Sequence, residues 1–382
     1  MSSSIIVVVL MMIPGIFLAF TNGANDNFKG VATLYGSETL SYKMALAWAT
    51  ITTLLGAIAA TFFAEKLLHS FSGKGLVPAE IISLSSFGIS IALSAALTVL
   101  LATLFGFPIS TTHALTGALL GVGYIASPQG MDLSNLYSSF LAPLLVSPIM
   151  AIIGAGLLYP LFSFLRKKSQ ITRESCLCLG NQVVSVQPEL TAGAQVNAVI
   201  SSPSFPMLQV GTQMSCKEQY QGHFFGINAK ALIDTVHFLS SGLVSFARGL
   251  NDAPKIAALL LIGHSLSKEV SVATIGIAMA LGGILMARKV AETMSHQITS
   301  MNDGQALSAN LVTSVIVLGA SRLGLPVSTT HVSCGALFGI GAVTKKAHWN
   351  SIFKIFLSWV ITLPIAALLG LVFFSLLNGR IS

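Results

Sequence analysis

Two polar motifs recur in an otherwise apolar chain, and both use residue types that hold small ions. The first is Ser-Thr-Thr-His. It stands in "GFPISTTHALTGALLGVG" (106–123) and again in "GLPVSTTHVSCGALFGIG" (324–341), with eleven of eighteen positions identical. Each tetrad begins two residues after a proline, which cannot continue a preceding helix and has no N–H to satisfy. Ser or Thr at that point can cap a new helix with its hydroxyl. A helix start presents free N–H groups and a partial positive charge, so each tetrad is a candidate anion site. The alternative is that the hydroxyls only bond back to a turn or a neighbouring helix. His113 and His331 either orient the turn or ligate directly.

The second motif is Gly-x-Asn-Asp followed by Lys. "FTNGANDNFKGVATL" (20–34) aligns without gaps to "FARGLNDAPKIAALL" (246–260), sharing seven of fifteen positions. Asp26 and Asp252 fall in apolar segments, where an ionised carboxylate costs several kcal/mol unless it is paired. Gly23 and Gly249 are expected to allow local unwinding that frees carbonyl oxygens. Carboxylate, amide oxygen and carbonyl are hard ligands suited to a small cation. Lys29 and Lys255 offer the competing reading, an ion pair on one helical face.

The elements that must position these residues lie in a membrane. Of the 382 residues 53% are hydrophobic and only 9% charged, against about 25% charged in soluble domains; the mean hydropathy is +0.81. Runs at 42–63, 81–105, 137–165, 270–287 and 350–377 are each long enough, at roughly 20 residues per span, to cross a bilayer as a helix. The first twenty residues read as a spanning segment rather than a signal peptide, for want of a basic start. The net charge of +7 then belongs to loops, not to a nucleic-acid surface. Cys176, Cys178, Cys216 and Cys334 suggest no extracellular disulfide framework. A zinc site of Cys176, Cys178, Cys216 and His223 is conceivable, but its spacing matches no standard pattern. No phosphate-binding loop of an ATP-driven engine is present.

The echoes occur in one order, at offsets of 226, 218 and 216, the last pairing Pro148, Ala151 and Gly154 with Pro364, Ala367 and Gly370. The chain therefore reads as a repeat at 1–165, a polar connector at 166–228 and a second repeat at 229–382. Five spans per repeat are expected (5–33 interrupted, 42–63, 81–105, 113–126 and 137–165 in the first). An odd number inverts the second copy. The fold expected is an all-α polytopic membrane protein with two inverted-topology repeats, broken or re-entrant helices, and about 10–12 transmembrane segments. Loop lysines and arginines place the connector in the cytoplasm and both termini outside. The connector, with "NQVVSVQ" (181–187), has some strand character.

Two aspartates 5 Å from a bound anion would each repel it by about 3 kcal/mol at an effective dielectric of 20. A cation or proton on each removes that repulsion, and the coupling is reciprocal, as a symporter requires. A hydrolase using Ser110 and His113 has no use for two complete tetrads. A passive channel has no use for the carboxylates.

"GANDNFKG" with "GLNDAPK", and "PISTTH" with "PVSTTH", resemble the inorganic phosphate transporter (PiT) family; "ARKVAETM" (287–294) and "GQALSAN" (304–310) extend the likeness. The resemblance implies a non-enzymatic secondary transporter that imports inorganic phosphate across a cell (inner or plasma) membrane, coupled to Na⁺ or H⁺. Sulfate is the alternative substrate. By analogy Ser110, Thr111, Thr112, Ser328, Thr329 and Thr330 bind the oxyanion. Asn25, Asp26, Asn251 and Asp252 lie at the cation sites. Phosphate, the coupling cation, the lipid bilayer and a second copy in a homodimer are the expected partners; no nucleic acid and no other metal are. The sequence departs from the family pattern in carrying Lys29 and Lys255 beside the aspartates, which leaves the coupling ion and the substrate open.

Overall fold

A computed structural model describes residues 2–172, 174–181, 206–212, 214–216, 224–261 and 267–378. The chain divides into two compact units, one of residues 1–160 with 237–382, which has an all-α polytopic membrane architecture, and one of residues 161–236. In the larger unit the first half runs α1 (Ser2–Asp26), α2 (Ala32–Gly36), α3 (Tyr42–Phe63), α4 (Glu65–Ser70), α5 (Ala79–Ile82), α6 (Ser85–Leu104) and α7 (Thr111–Ala126). α8 (Leu133–Lys168) follows, with a π turn at Tyr137–Leu141. The second half runs α9 (Ala229–Leu261), α10 (Lys268–Met286), α11 (Arg288–His296), α12 (Asp303–Leu323), α13 (Thr329–Thr344) and α14 (Trp349–Leu377).

Six helices among the described residues are long and apolar enough to cross a bilayer: α3, α6, α8, α10, α12 and α14. α12 is the one that no apolar run announced. Asn310, Thr313, Ser314 and Ser321 are buried along it, so its hydropathy is 1.5 against 2.2 for its counterpart α6. α7 and α13 have sixteen residues each, roughly 24 Å, which is short of a hydrocarbon core about 30 Å thick. They are half-helices, each starting at its tetrad. Leu145, Ile149, Ile153 and Leu157 on α8 and Phe353, Phe356, Val360 and Leu368 on α14 are exposed. Such faces suit lipid rather than water.

The two halves are related by exchange of contacts. A Cβ on Gly23 would strike the carbonyl of Met279, and one on Gly249 that of Thr53. A Cβ on Gly282 would strike the carbonyl of Phe20, and one on Gly56 that of Phe246. Every residue in the first member of each pair maps onto the second at the 226-residue offset. α1 thus packs on α10 as α9 packs on α3, backbone against backbone. Small residues permit such approach, and in lipid that packing is what holds helices together. The half-helices follow suit: Gly117 and Gly121 face the carbonyls of Leu363 and Ala367 on α14, while Gly335 and Gly339 face those of Pro148 and Ile152 on α8. The two largest apolar cores each draw residues from both halves.

This packing corrects one sequence expectation. Neither Gly23 nor Gly249 unwinds its helix; α1 continues to Asp26, and α9 runs unbroken through Gly249 and Pro254. Each glycine is needed for the close approach of a partner backbone, which a helix surface satisfies without breaking.

The smaller unit contains a three-stranded antiparallel sheet of β1 (Ser175–Asn181), β2 (Pro206–Thr212) and β3 (Phe224–Asn228), in the order β2-β1-β3. Strand character was expected in "NQVVSVQ"; only Asn181 of it lies within the described residues. Cys176, Cys178 and Cys216 gather in one buried cluster, and Cys178 is bonded to Cys216, a bridge that the cysteine spacing did not announce. His223, the fourth member of the conceivable zinc set, lies outside the described residues.

Candidate functional site

The turn before each tetrad is the same in both halves. Gly106 and Gly324 take positive φ, +76° and +78°, a conformation glycine adopts without penalty. Their N–H groups bond to Thr103 and Ser321, and those of Phe107 and Leu325 to Ala102 and Ala320, closing α6 and α12. Proline then bars continuation, and the chain restarts as a half-helix. The Ser110 hydroxyl accepts from the His113 N–H at 3.0 Å, and the Ser328 hydroxyl from that of His331 at 3.1 Å. Both serines are N-caps, as their position after proline suggested.

The two helix starts meet. The rings of His113 and His331 lie with centroids 4.5 Å apart. The Thr330 hydroxyl donates to the Ile109 carbonyl at 2.8 Å, and Thr112 to that of Val327 at 3.3 Å. Each tetrad therefore bonds to the residue that precedes the other. Trp359 on α14 donates to the Pro108 carbonyl at 3.0 Å and lies with its ring centroid 4.0 Å from that of His331, holding this junction from one side. Ser110, Thr111, Thr112, Ser328, Thr329 and Thr330 are all buried.

The Asn-Asp pairs lie against the same junction. Asn25 donates to the Thr103 hydroxyl at 2.9 Å and to the Phe107 carbonyl at 3.0 Å, and its oxygen accepts from the Ile109 N–H. Asn251 donates to the Val327 carbonyl at 3.2 Å and accepts from Ser321 at 3.1 Å. Thr111 donates to Asp26 at 3.2 Å and Thr329 to Asp252 at 3.5 Å. All ten residues expected at the ion sites are thus gathered in one place. The carbonyls beside the carboxylates come from Ile109 and Val327, not from the Gly23 and Gly249 turns.

Both lysines point inward. The Lys29 ammonium pairs with Asp26 and donates to Asn25 at 2.7 Å, the Ile109 carbonyl at 2.8 Å and Thr330 at 2.7 Å. Lys255 donates to Thr112 and the Val327 carbonyl, both at 2.8 Å, and to Asp252 at 3.4 Å. The ion-pair reading of these lysines is what the geometry displays.

Two neighbours, Asn22 and Arg248, were missed. They occupy equivalent places in the two repeats. Asn22 donates to Asp26 and to Thr111 at 2.9 Å each and lies 3.5 Å from Asp252, so it bridges the two halves. Arg248 is 1% exposed and donates to Asn27 and Asn22 at 3.0 Å and to Thr53 at 3.2 Å. Its Nε, 3.8 Å from Asp252, is buried with no hydrogen-bond partner among the described residues. The signal was available: an arginine inside an apolar helix is costly and therefore functional by default. Among the described residues the buried acidic side chains are Asp26 and Asp252, and the buried Lys and Arg are Lys29, Arg248 and Lys255. Three cations stand against two anions.

Broken half-helices meeting inside a polytopic bundle, with paired charges at the meeting point, define a membrane transporter rather than an enzyme. The chain belongs to the phosphate transporter family, whose model matches residues 22–370. A relative from Pyrococcus horikoshii, named "Putative phosphate permease", is 26% identical over 97% of this chain and 97% of its own length. One of the same name from Chlamydia trachomatis is 26% identical over 98% of this chain and 99% of its own. The solved structure entitled "The sodium-dependent phosphate transporter" superposes with a TM-score of 0.74 at 20% identity, covering 98% of this chain and 99% of that one. At that identity the match speaks for the fold.

Proposed function

We propose that this chain imports inorganic phosphate across a cell membrane by secondary transport coupled to Na⁺ or H⁺. The anion is held between the two tetrads by Ser110, Thr111 and Thr112 from one helix start and Ser328, Thr329 and Thr330 from the other. The observation that carries this reading is the meeting of the starts, with the two imidazole rings 4.5 Å apart. Two helix N-termini give one site many donors and partial positive charge from both sides. Asn25, Asp26, Asn251 and Asp252, which lie against the same junction, belong to the coupling-cation sites.

Phosphate suits it better than sulfate. At neutral pH phosphate carries protons and needs acceptors, which Asp26 and Asp252 supply within reach of Thr111 and Thr329. Sulfate has no proton to give and gains nothing from those acceptors. Uptake of labelled phosphate into proteoliposomes, with unlabelled sulfate as competitor, tests the assignment. Excess sulfate leaves the rate unchanged if phosphate is the substrate; displacement at equal concentration overturns it.

A further inference from the structure

The coupling ion is narrowed by what already sits beside the aspartates. A Na⁺ site there would need hard oxygen donors: a carboxylate, an amide oxygen, a carbonyl and a hydroxyl. That set is present around Asp26, and its centre is the Lys29 ammonium group, which contacts Asn25, Asp26, Ile109 and Thr330. Four oxygens surround a group with three protons to donate. The second repeat repeats the arrangement, with Lys255 contacting Asp252, Thr112 and Val327. The side chains are 4% and 1% exposed, so these are resident charges rather than surface lysines that happen to fold inward.

We infer that Lys29 and Lys255 are tethered cations that occupy the two coupling-ion sites in place of Na⁺. The consequence is phosphate transport that neither binds nor requires Na⁺. The electrostatics agree. An unneutralised aspartate repels the anion, and a mobile cation removes the repulsion only when it is bound; a lysine removes it permanently. With Arg248 added, the buried charges favour an anion before any ion arrives. This inference rests on the phosphate reading above and concerns what drives it.

The full chain in proteoliposomes loaded with phosphate, assayed by radiolabelled phosphate counterflow in sodium or choline buffer, tests it. The expected result is the same rate in both. Lys29→Ala and Lys255→Ala open a cage to a small cation. Each is expected to slow counterflow by about tenfold in choline, because an aspartate beside the anion loses its nearest lysine, and to regain rate when sodium is added. Should these variants fail to fold, equilibrium binding of ²²Na⁺ to the wild-type protein decides, with no saturable binding expected. Wild-type counterflow that collapses without sodium, or saturable ²²Na⁺ binding, overturns the inference and leaves the phosphate reading intact. Absence of phosphate binding and counterflow in every buffer defeats the phosphate reading, while the ²²Na⁺ measurement still judges the lysines.

Discussion

The ammonium group of Lys29, in the first repeat, donates to the hydroxyl of Thr330, in the second, at 2.7 Å across 301 residues of sequence. Lys255 returns the contact to Thr112 at 2.8 Å. Each repeat thus supplies the cation that touches the other's tetrad, so neither half of the site is complete alone.

Breaking one of these pairs should be far worse than removing both partners. Asp26→Asn leaves Lys29 buried with its counter-charge gone, a change that costs about 3–5 kcal/mol in buried ion pairs. Lys29→Met alone leaves the carboxylate in the same position. The double variant Asp26→Asn with Lys29→Met should recover most of the loss, because no uncompensated charge remains. Thermal unfolding of the four purified proteins, read as a double-mutant cycle, measures this. Additive losses would show that the pair is not coupled.

The serine caps should act on both stability and anion affinity. Ser110→Ala or Ser328→Ala removes a cap worth about 1 kcal/mol to its half-helix. It also removes a hydroxyl from the place where the helix starts meet. The phosphate concentration for half-maximal uptake should rise in both variants by a similar factor, since the two serines are equivalent by exchange. A rise in one variant alone would mean that the two tetrads do not share the anion.

Arg248 should matter to the anion more than to the fold's apolar packing. Among the described residues its Nε has no hydrogen-bond partner, only the Asp252 carboxylate 3.8 Å away, and it supplies the surplus positive charge. Arg248→Lys keeps the charge but not the planar fork that spans Asn22, Asn27 and Thr53. Phosphate affinity should fall in the order wild type, Lys, Met, by about tenfold in all, a change of about 1.4 kcal/mol. Titration of purified protein with phosphate by calorimetry gives the order directly.

The glycine contacts make a structural prediction with an internal control. Alanine at Gly23 or Gly282 would place Cβ 1.8 Å from a carbonyl oxygen of the facing helix. The helices must move apart, and overpacking of that kind costs about 1–3 kcal/mol or more. Gly319, with nothing among the described residues within 4 Å of a Cβ, should accept alanine and even gain from it. The monodisperse fraction on size-exclusion chromatography after detergent extraction separates the two cases.

Much of the site was legible because its chemistry is written twice. A single Ser-Thr-Thr-His could be ordinary capping; two copies at a fixed offset, each after Gly-x-Pro, could not easily be. Gly-x-Asn-Asp was legible for the same reason, down to the lysines. Arg248 and Asn22 escaped because repetition was the guide, and these two equivalent positions differ: the asymmetry that makes them informative also hid them. α12 escaped because its inward face is polar, which lowers the hydropathy by which spans are found. The role of Gly23 and Gly249 was misjudged because a glycine in a membrane helix serves either a break or a close contact. Sequence alone does not say which; the carbonyls of Met279 and Thr53 do.

Counting bound phosphate is the most direct test of the whole picture. Two tetrads could make two sites, one per repeat, or they could share one. Equilibrium binding of radiolabelled phosphate to purified protein should saturate at close to one per chain, with Ser110→Ala and Ser328→Ala each weakening that same site. Saturation at two per chain, with each variant losing only its own half, would contradict it.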